Sequence, residues 1–105
     1  MAVYVDDELI PWRGKLWCHL VADNLPELHA FARQLGLRQA WFQASAAYPH
    51  YDVTVRVRDR ALSMGASMGD RQTIIACARV LKHELQSEND LWHSLDAEDC
   101  MRTTI

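Results

Sequence analysis

At 105 residues the chain has room for one domain with one modest core, burying roughly 60 to 70% of its unfolded surface. Half of the residues are hydrophobic, which excludes a disordered chain. A net charge of −3, from 11 basic and 14 acidic residues, argues against a general nucleic-acid or membrane-binding surface.

No apolar run approaches the ~20 residues that cross a bilayer, so no membrane association is expected. Cys18, Cys77 and Cys100 are far apart and form no C-x-x-C pair, which excludes a zinc ribbon or a thioredoxin-type motif. An odd cysteine number without a secretory signal fits free thiols in a reducing, cytoplasmic setting.

The first element is the β-branched run Ala2-Val3-Tyr4-Val5, which stops at Asp6-Asp7. Apolar residues bounded by charge read as a buried strand. Ligands collect beyond the carboxyl ends of strands in α/β sheets, so the two acids mark a candidate site. The alternative is an acidic turn in which they cap local backbone N–H groups. Residues 8–14 read as a loop, punctuated by Pro11 and Gly14. Arg13 and Lys15 are the cations nearest the acids.

Residues 16–22 form the second expected strand, with Trp17, His19 and Val21 on one face and Cys18, Leu20 and Ala22 on the other. His19 is either a ligand or proton carrier facing Asp6, or a neutral histidine satisfied by one backbone partner. Asn24, Pro26 and Glu27 make a helix start. Leu28, Phe31, Ala32 and Leu35 set its apolar stripe, and Gly36 closes it, so a helix is expected over residues 25–35. His29 lies beside that stripe.

Ala40-Trp41-Phe42 suggests a third strand ending at Gln43, completing a β-α-β unit. From His50-Tyr51-Asp52 onward, Val53, Val55 and Val57 alternate with polar residues, which reads as a half-exposed strand. A helix capped by Asp52 or Thr54 and closed by Gly65 is the competing reading. Asp70 caps a last main helix over residues 71–86, with Ile74, Ala78, Leu81 and Leu85 on one side. A short helix over residues 87–95 and a frayed tail over 97–105 complete the chain. The sum is one α/β domain over residues 1–96, a mixed sheet of three to four strands flanked by two main helices.

Several segments in this order resemble the family called domain of unknown function 4031, made of small bacterial and phage proteins. They are Val3-Tyr4-Val5-Asp6-Asp7, His19-Leu20-Val21-Ala22-Asp23, Glu27-Leu28-His29-Ala30-Phe31-Ala32, Leu35-Gly36-Leu37, Trp41-Phe42-Gln43, His50-Tyr51-Asp52-Val53-Thr54 and Gly65-Ala66. The resemblance covers residues 1–68. The family carries a Lys-Arg pair shortly after its His-Tyr-Asp, where this chain has Val57-Arg58-Asp59-Arg60. The resemblance implies a grouping rather than a reaction.

Two classes of function remain open. The first is a metal-assisted hydrolase of a phosphoester or nucleotide. Asp6 and Asp7 would hold Mg²⁺, Mn²⁺ or Zn²⁺. His19, His50 and Asp52 would do the catalytic work, the histidines as proton carriers. Arg13, His29, Gln43, Tyr51 and Arg60 would contact the substrate. This reading requires at least three of Asp6, Asp7, His19, His50 and Asp52 around one open point. The second is a non-catalytic module that binds a nucleotide, a small phosphorylated molecule or a protein, including a second copy of the chain. It requires an exposed aromatic patch beside the polar cluster, drawn from Trp12, Trp41, Tyr48 and Tyr51. A buried hydrogen-bond network that only holds the fold would instead be dry and mutually satisfied.

Overall fold

A computed structural model describes residues 2–44, 46 and 48–103; from residue 88 onward only the helical backbone is described. The strands are β1 (Val3–Val5), β2 (Ile10–Trp12), β3 (Lys15–Ala22), β4 (Tyr51–Thr54) and β5 (Ser67–Met68). The helices are α1 (Leu25–Gln34), α2 (Val55–Ser63) and α3 (Arg71–Thr103), with a 3₁₀ turn at Gln39–Trp41.

All five strands join one mixed sheet centred on β3. β1 pairs with β3 antiparallel, Val5 opposite Leu20, and β4 takes the other edge of β3, Tyr51 also opposite Leu20. β2 continues along the β1 edge, Ile10 opposite Trp17. β5 pairs with β1 in parallel. The α/β class and the mixed sheet are as the sequence suggests, but the sheet has five strands in place of three to four, and α2 adds a third helix.

Alternation sorts the side chains of this sheet. Val5, Cys18, Leu20, Tyr51 and Val53 share one face and are fully or almost fully buried. On that face α1 sends His29 Nδ1 to within 2.8 Å of the Tyr51 hydroxyl. Tyr4, Asp6, His19, Val21 and Asp52 share the opposite face, where the start of α3 packs. There a Cβ on Gly69 would sit 3.2 Å from both Ile74 Cδ1 and Tyr4 Cβ, so the chain fits closely only because Gly69 has none.

The helix ends follow from local chemistry. Asn24 Oδ1 accepts from Glu27 N at 2.9 Å, and Gly36 at φ +86° lets Leu37 N bond back to Ala32 O at 2.9 Å. Asp70 Oδ1 accepts from Thr73 N at 2.7 Å and starts α3.

Four expectations are corrected. Residues 39–41 hold a 3₁₀ turn in place of a third strand, because Trp41 N and Phe42 N bond locally to Arg38 O and Gln39 O, and pairing is left to an isolated bridge between Gln43 and His50. The strand from Tyr51 stops at Thr54, whose Oγ1 accepts from Val57 N at 3.3 Å and starts α2, so the competing helical reading with a Thr54 cap holds in place of the longer strand. Residues 10–12 form β2 despite Pro11, since an outer strand leaves one side free of ladder bonds. Finally, α3 runs without a break through the separation expected near Ser87 and carries helical backbone to Thr103.

Candidate functional site

The site is built on cross-strand pairing. His19 on β3 lies opposite Asp52 on β4, so their side chains emerge side by side on one face. His50 precedes Asp52 by two residues and joins that face. It is anchored where Gln43 N donates to His50 O at 2.8 Å. One ligand-type atom from each of His19, His50 and Asp52 lies within 4.8 Å of the others.

The tautomers follow from the partners. His19 Nδ1 lies 2.6 Å from Asp6 Oδ2, and the same carboxylate accepts the His19 backbone N–H at 2.8 Å through Oδ1. Asp6 therefore holds Nδ1 and leaves Nε2 to the cluster. His50 Nδ1 lies 2.5 Å from the Tyr48 carbonyl, an acceptor, so Nδ1 carries a proton. Nε2 of His50 then meets Asp52 Oδ1 at 3.0 Å. In a neutral His50 this sets a lone pair against a carboxylate, which either a second ring proton or a cation between them resolves. The His19 and His50 rings meet edge to face, with centroids 4.6 Å apart.

Burial alone would raise the Asp6 carboxyl, but the hydrogen bonds and charge of His19 outweigh it and the pKa falls below 3.8. The hydrogen bond to Asp6 raises His19 above 6.5 against the opposing effect of burial, and the charges of Asp6, Asp52 and Glu8 add to the rise. The cluster is wet. Side-chain exposure is 23% for His19, 17% for His50 and 42% for Asp52. A dry, purely structural network does not fit those values.

Two clefts meet at His19 and His50. One, of about 370 Å³, has Val21, Ile74, Ile75 and Ala78 as apolar lining and Asp6, Asp7, Glu8, Asp70 and Arg71 as its charges. The other, of about 860 Å³, has Asp52, Thr54 and Gln43 beside the cluster and Trp12, Trp17, Trp41 and Lys15 along its walls. Trp12 and Trp41 are 56% and 51% exposed, which makes the aromatic patch that the binding reading requires.

Several other residues expected at the site sit elsewhere. Asp7 is exposed in the first cleft and does not join the cluster; Asp6 faces His19. Arg13 lies in the β2–β3 turn with its guanidinium 4.5 Å from the centroid of the Trp12 ring, while Lys15 lines the cleft. His29 and Tyr51 pair on the opposite face, with Phe42 beside both rings. Arg60 on α2 donates to Leu35 O at 3.4 Å, at the end of α1. Gln43 does reach the tryptophan-lined cleft. Lys15, expected as a cation near the acids, lines this cleft, whereas Trp17 was not expected there; the i, i+2 spacing of Lys15, Trp17 and His19 is the signal that finds it. Burial pushes the Cys77 thiol up to about 11, with Asp23 adding to the rise, so it is no thiolate nucleophile.

These features define a small α/β protein with an open histidine–aspartate cluster at the junction of two clefts. A family model described as "Protein of unknown function (DUF4031)" matches residues 3–81, and the chain belongs to that family. The match extends beyond the residues that first suggested it, through β5 and into α3. No curated protein and no solved structure matches the chain. Among the described residues no helix is long and apolar enough to cross a membrane.

Proposed function

We propose that His19, His50 and Asp52 hold a divalent metal ion that assists hydrolysis of a phosphoester. The observation that carries this is the convergence of three ligand-type atoms within 4.8 Å at a wet cleft junction. Two ligands about 2.05 Å from a tetrahedral ion lie about 3.3 Å apart. The 3.0 Å between His50 Nε2 and Asp52 Oδ1 is already near that, and the ligand-type atom of His19 lies within 4.8 Å of both. Two imidazoles and one carboxylate favour Zn²⁺, then Mn²⁺, over Mg²⁺.

In this reading the ligand role passes from Asp6 and Asp7 to the cluster, and Asp6 becomes the carboxylate that orients a ligating histidine. His19 and His50 are then ligands rather than proton carriers. Held by His19, His50 and Asp52, a zinc ion would supply a water acidified toward neutrality for the hydrolysis. Lys15, on the wall of the larger cleft, adds a positive charge to the space that receives an anionic substrate. The exposed Trp12 and Trp41 favour a second reading, a module that binds its ligand without turning it over.

The test is a thermal-shift titration of the full chain with Zn²⁺, Mn²⁺ and Mg²⁺, followed by turnover of bis(p-nitrophenyl) phosphate by the loaded protein. An ion at 100 times its Kd stabilises by about 2.7 kcal/mol, several degrees for a domain of this size. A shift with Zn²⁺ that Asp52→Asn removes, together with turnover, is the expected result. A shift without turnover selects the binding module, and no shift with any ion removes the metal reading.

A further inference from the structure

We propose that the tryptophan-lined cleft receives the base of a mononucleotide whose phosphate lies at the His19–His50–Asp52 cluster. The inference names the substrate of the metal site and rests on that reading of the cluster. Its first support is geometry. The cleft has a wide aromatic wall, and the same space reaches the cluster at Asp52, so a flat ring and a phosphate have places in one continuous volume of about 860 Å³.

The second support is that one wall is held in position. Trp17 Nε1 donates to Trp12 O at 2.9 Å, and the two rings meet edge to face with centroids 5.8 Å apart. The Arg13 guanidinium covers one face of the Trp12 ring at 4.5 Å. Both residues of the two-residue turn after Trp12, Arg13 at φ +50° and Gly14 at φ +75°, have the positive φ of a type I′ hairpin, which fixes the end of β2. Trp41 stands exposed on the 3₁₀ turn, and Gln43 and Thr54 supply polar groups for the edge of a base. A rigid exposed tryptophan offers a base a stacking surface that needs no specific sequence.

Charge chooses between the clefts. The smaller one sets Asp6, Asp7, Glu8 and Asp70 against Arg71 alone and repels a phosphate. The larger one sets Lys15 against Asp52, and an ion at the cluster would make it cationic. A net charge of −3 and the lack of a basic tract speak for a single nucleotide over a polynucleotide.

The experiment is calorimetric titration of the Zn²⁺-loaded full chain with adenosine 5′-monophosphate, adenosine, inorganic phosphate and a hexathymidylate strand, repeated with Trp41→Ala. Adenosine monophosphate should bind at least ten times more tightly than adenosine or phosphate. Trp41→Ala should weaken it at least tenfold while leaving Zn²⁺ and phosphate binding unchanged. Zn²⁺ binding with no preference for the monophosphate, or a preference that Trp41→Ala leaves intact, overturns this inference alone. Tighter binding of the strand overturns it in favour of a polynucleotide. A dimer on size-exclusion chromatography that Trp41→Ala dissociates assigns the cleft to a second copy and overturns it as well. Failure of Zn²⁺ to bind overturns the inference together with the metal reading.

Discussion

Asp6 acts on both hydrogens that His19 offers to it, the backbone N–H and ring Nδ1. Asp6→Asn keeps the shape and removes the charge. The His19 pKa, followed by NMR of the ring protons, should then fall from its raised value back toward 6.5. The signs of the stability effect are fixed by the two shifts. The folded pKa of His19 is raised, so its contribution is complete below 6.5 and disappears as pH rises through the folded value. The folded pKa of Asp6 is lowered, so its contribution is complete above 3.8 and disappears as pH falls through the folded value. Wild type should therefore exceed Asp6→Asn in Tm most clearly between those two values, with the gap closing on either side. This pairing was only half legible in the sequence. Asp6 was one of two readings for the partner of His19, and the register that sets Val5 opposite Leu20 decides for it over a backbone partner. By contrast, the i, i+2 spacing of His50 and Asp52 on a strand already placed those two together.

Elements were legible where chemistry local to the chain decides them, and illegible where pairing does. Asn24, Glu27 and Gly36 announce both ends of α1, and the structure uses all three. The valines at 53, 55 and 57 spell a strand by propensity, yet it ends at Thr54, whose side chain caps a helix, and packing sets Val55 and Val57 against the core from that helix. Thr54→Ala removes that cap and should cost about 1 kcal/mol, read as a lower midpoint in urea with an unchanged slope. β2 was hidden by Pro11, and only its partner on β3 reveals it. Its turn needs Gly14 at φ +75°, where an added Cβ meets nothing within 4 Å but the backbone is costly for an L-residue. Gly14→Ala should therefore lose about 1 kcal/mol, a Tm drop of several degrees, without any clash. An unchanged Tm would mean that the turn relaxes to another form.

At the scale of the whole molecule, the described side chains of α3 that meet the core are Ile74, Cys77, Ala78, Leu81 and Leu85. Glu84 Oε2 accepts from Leu25 N at 2.7 Å, fixing the start of α1. All lie before residue 88, and the family match itself ends at residue 81. A chain cut after Ser87 should keep its Tm within a few degrees and keep the cluster intact. Loss of cooperative unfolding in that variant would show that the later turns of α3 are needed for the fold.

The pH dependence of metal binding joins the residue and the molecule. Below the folded pKa of His19 an ion at the cluster must displace the Nε2 proton, and the raised pKa widens the pH range over which that competition holds. Zn²⁺ affinity should accordingly climb about tenfold per pH unit below the folded His19 pKa and level off above it. Asp6→Asn changes this profile in two opposite ways. Without the carboxylate the proton competes less, which favours the ion in acid. Without it the ring is also less firmly oriented and less basic, which weakens the ion at every pH, by about 10- to 100-fold for partners of this kind. The loss caused by the substitution should thus be larger at alkaline than at acid pH, and the level region should begin earlier. Titrations of Zn²⁺ across this range would show two curves that converge toward low pH. Parallel curves would mean that Asp6 does not act on the ion through the His19 proton, and a flat wild-type curve would mean that His19 is not a ligand.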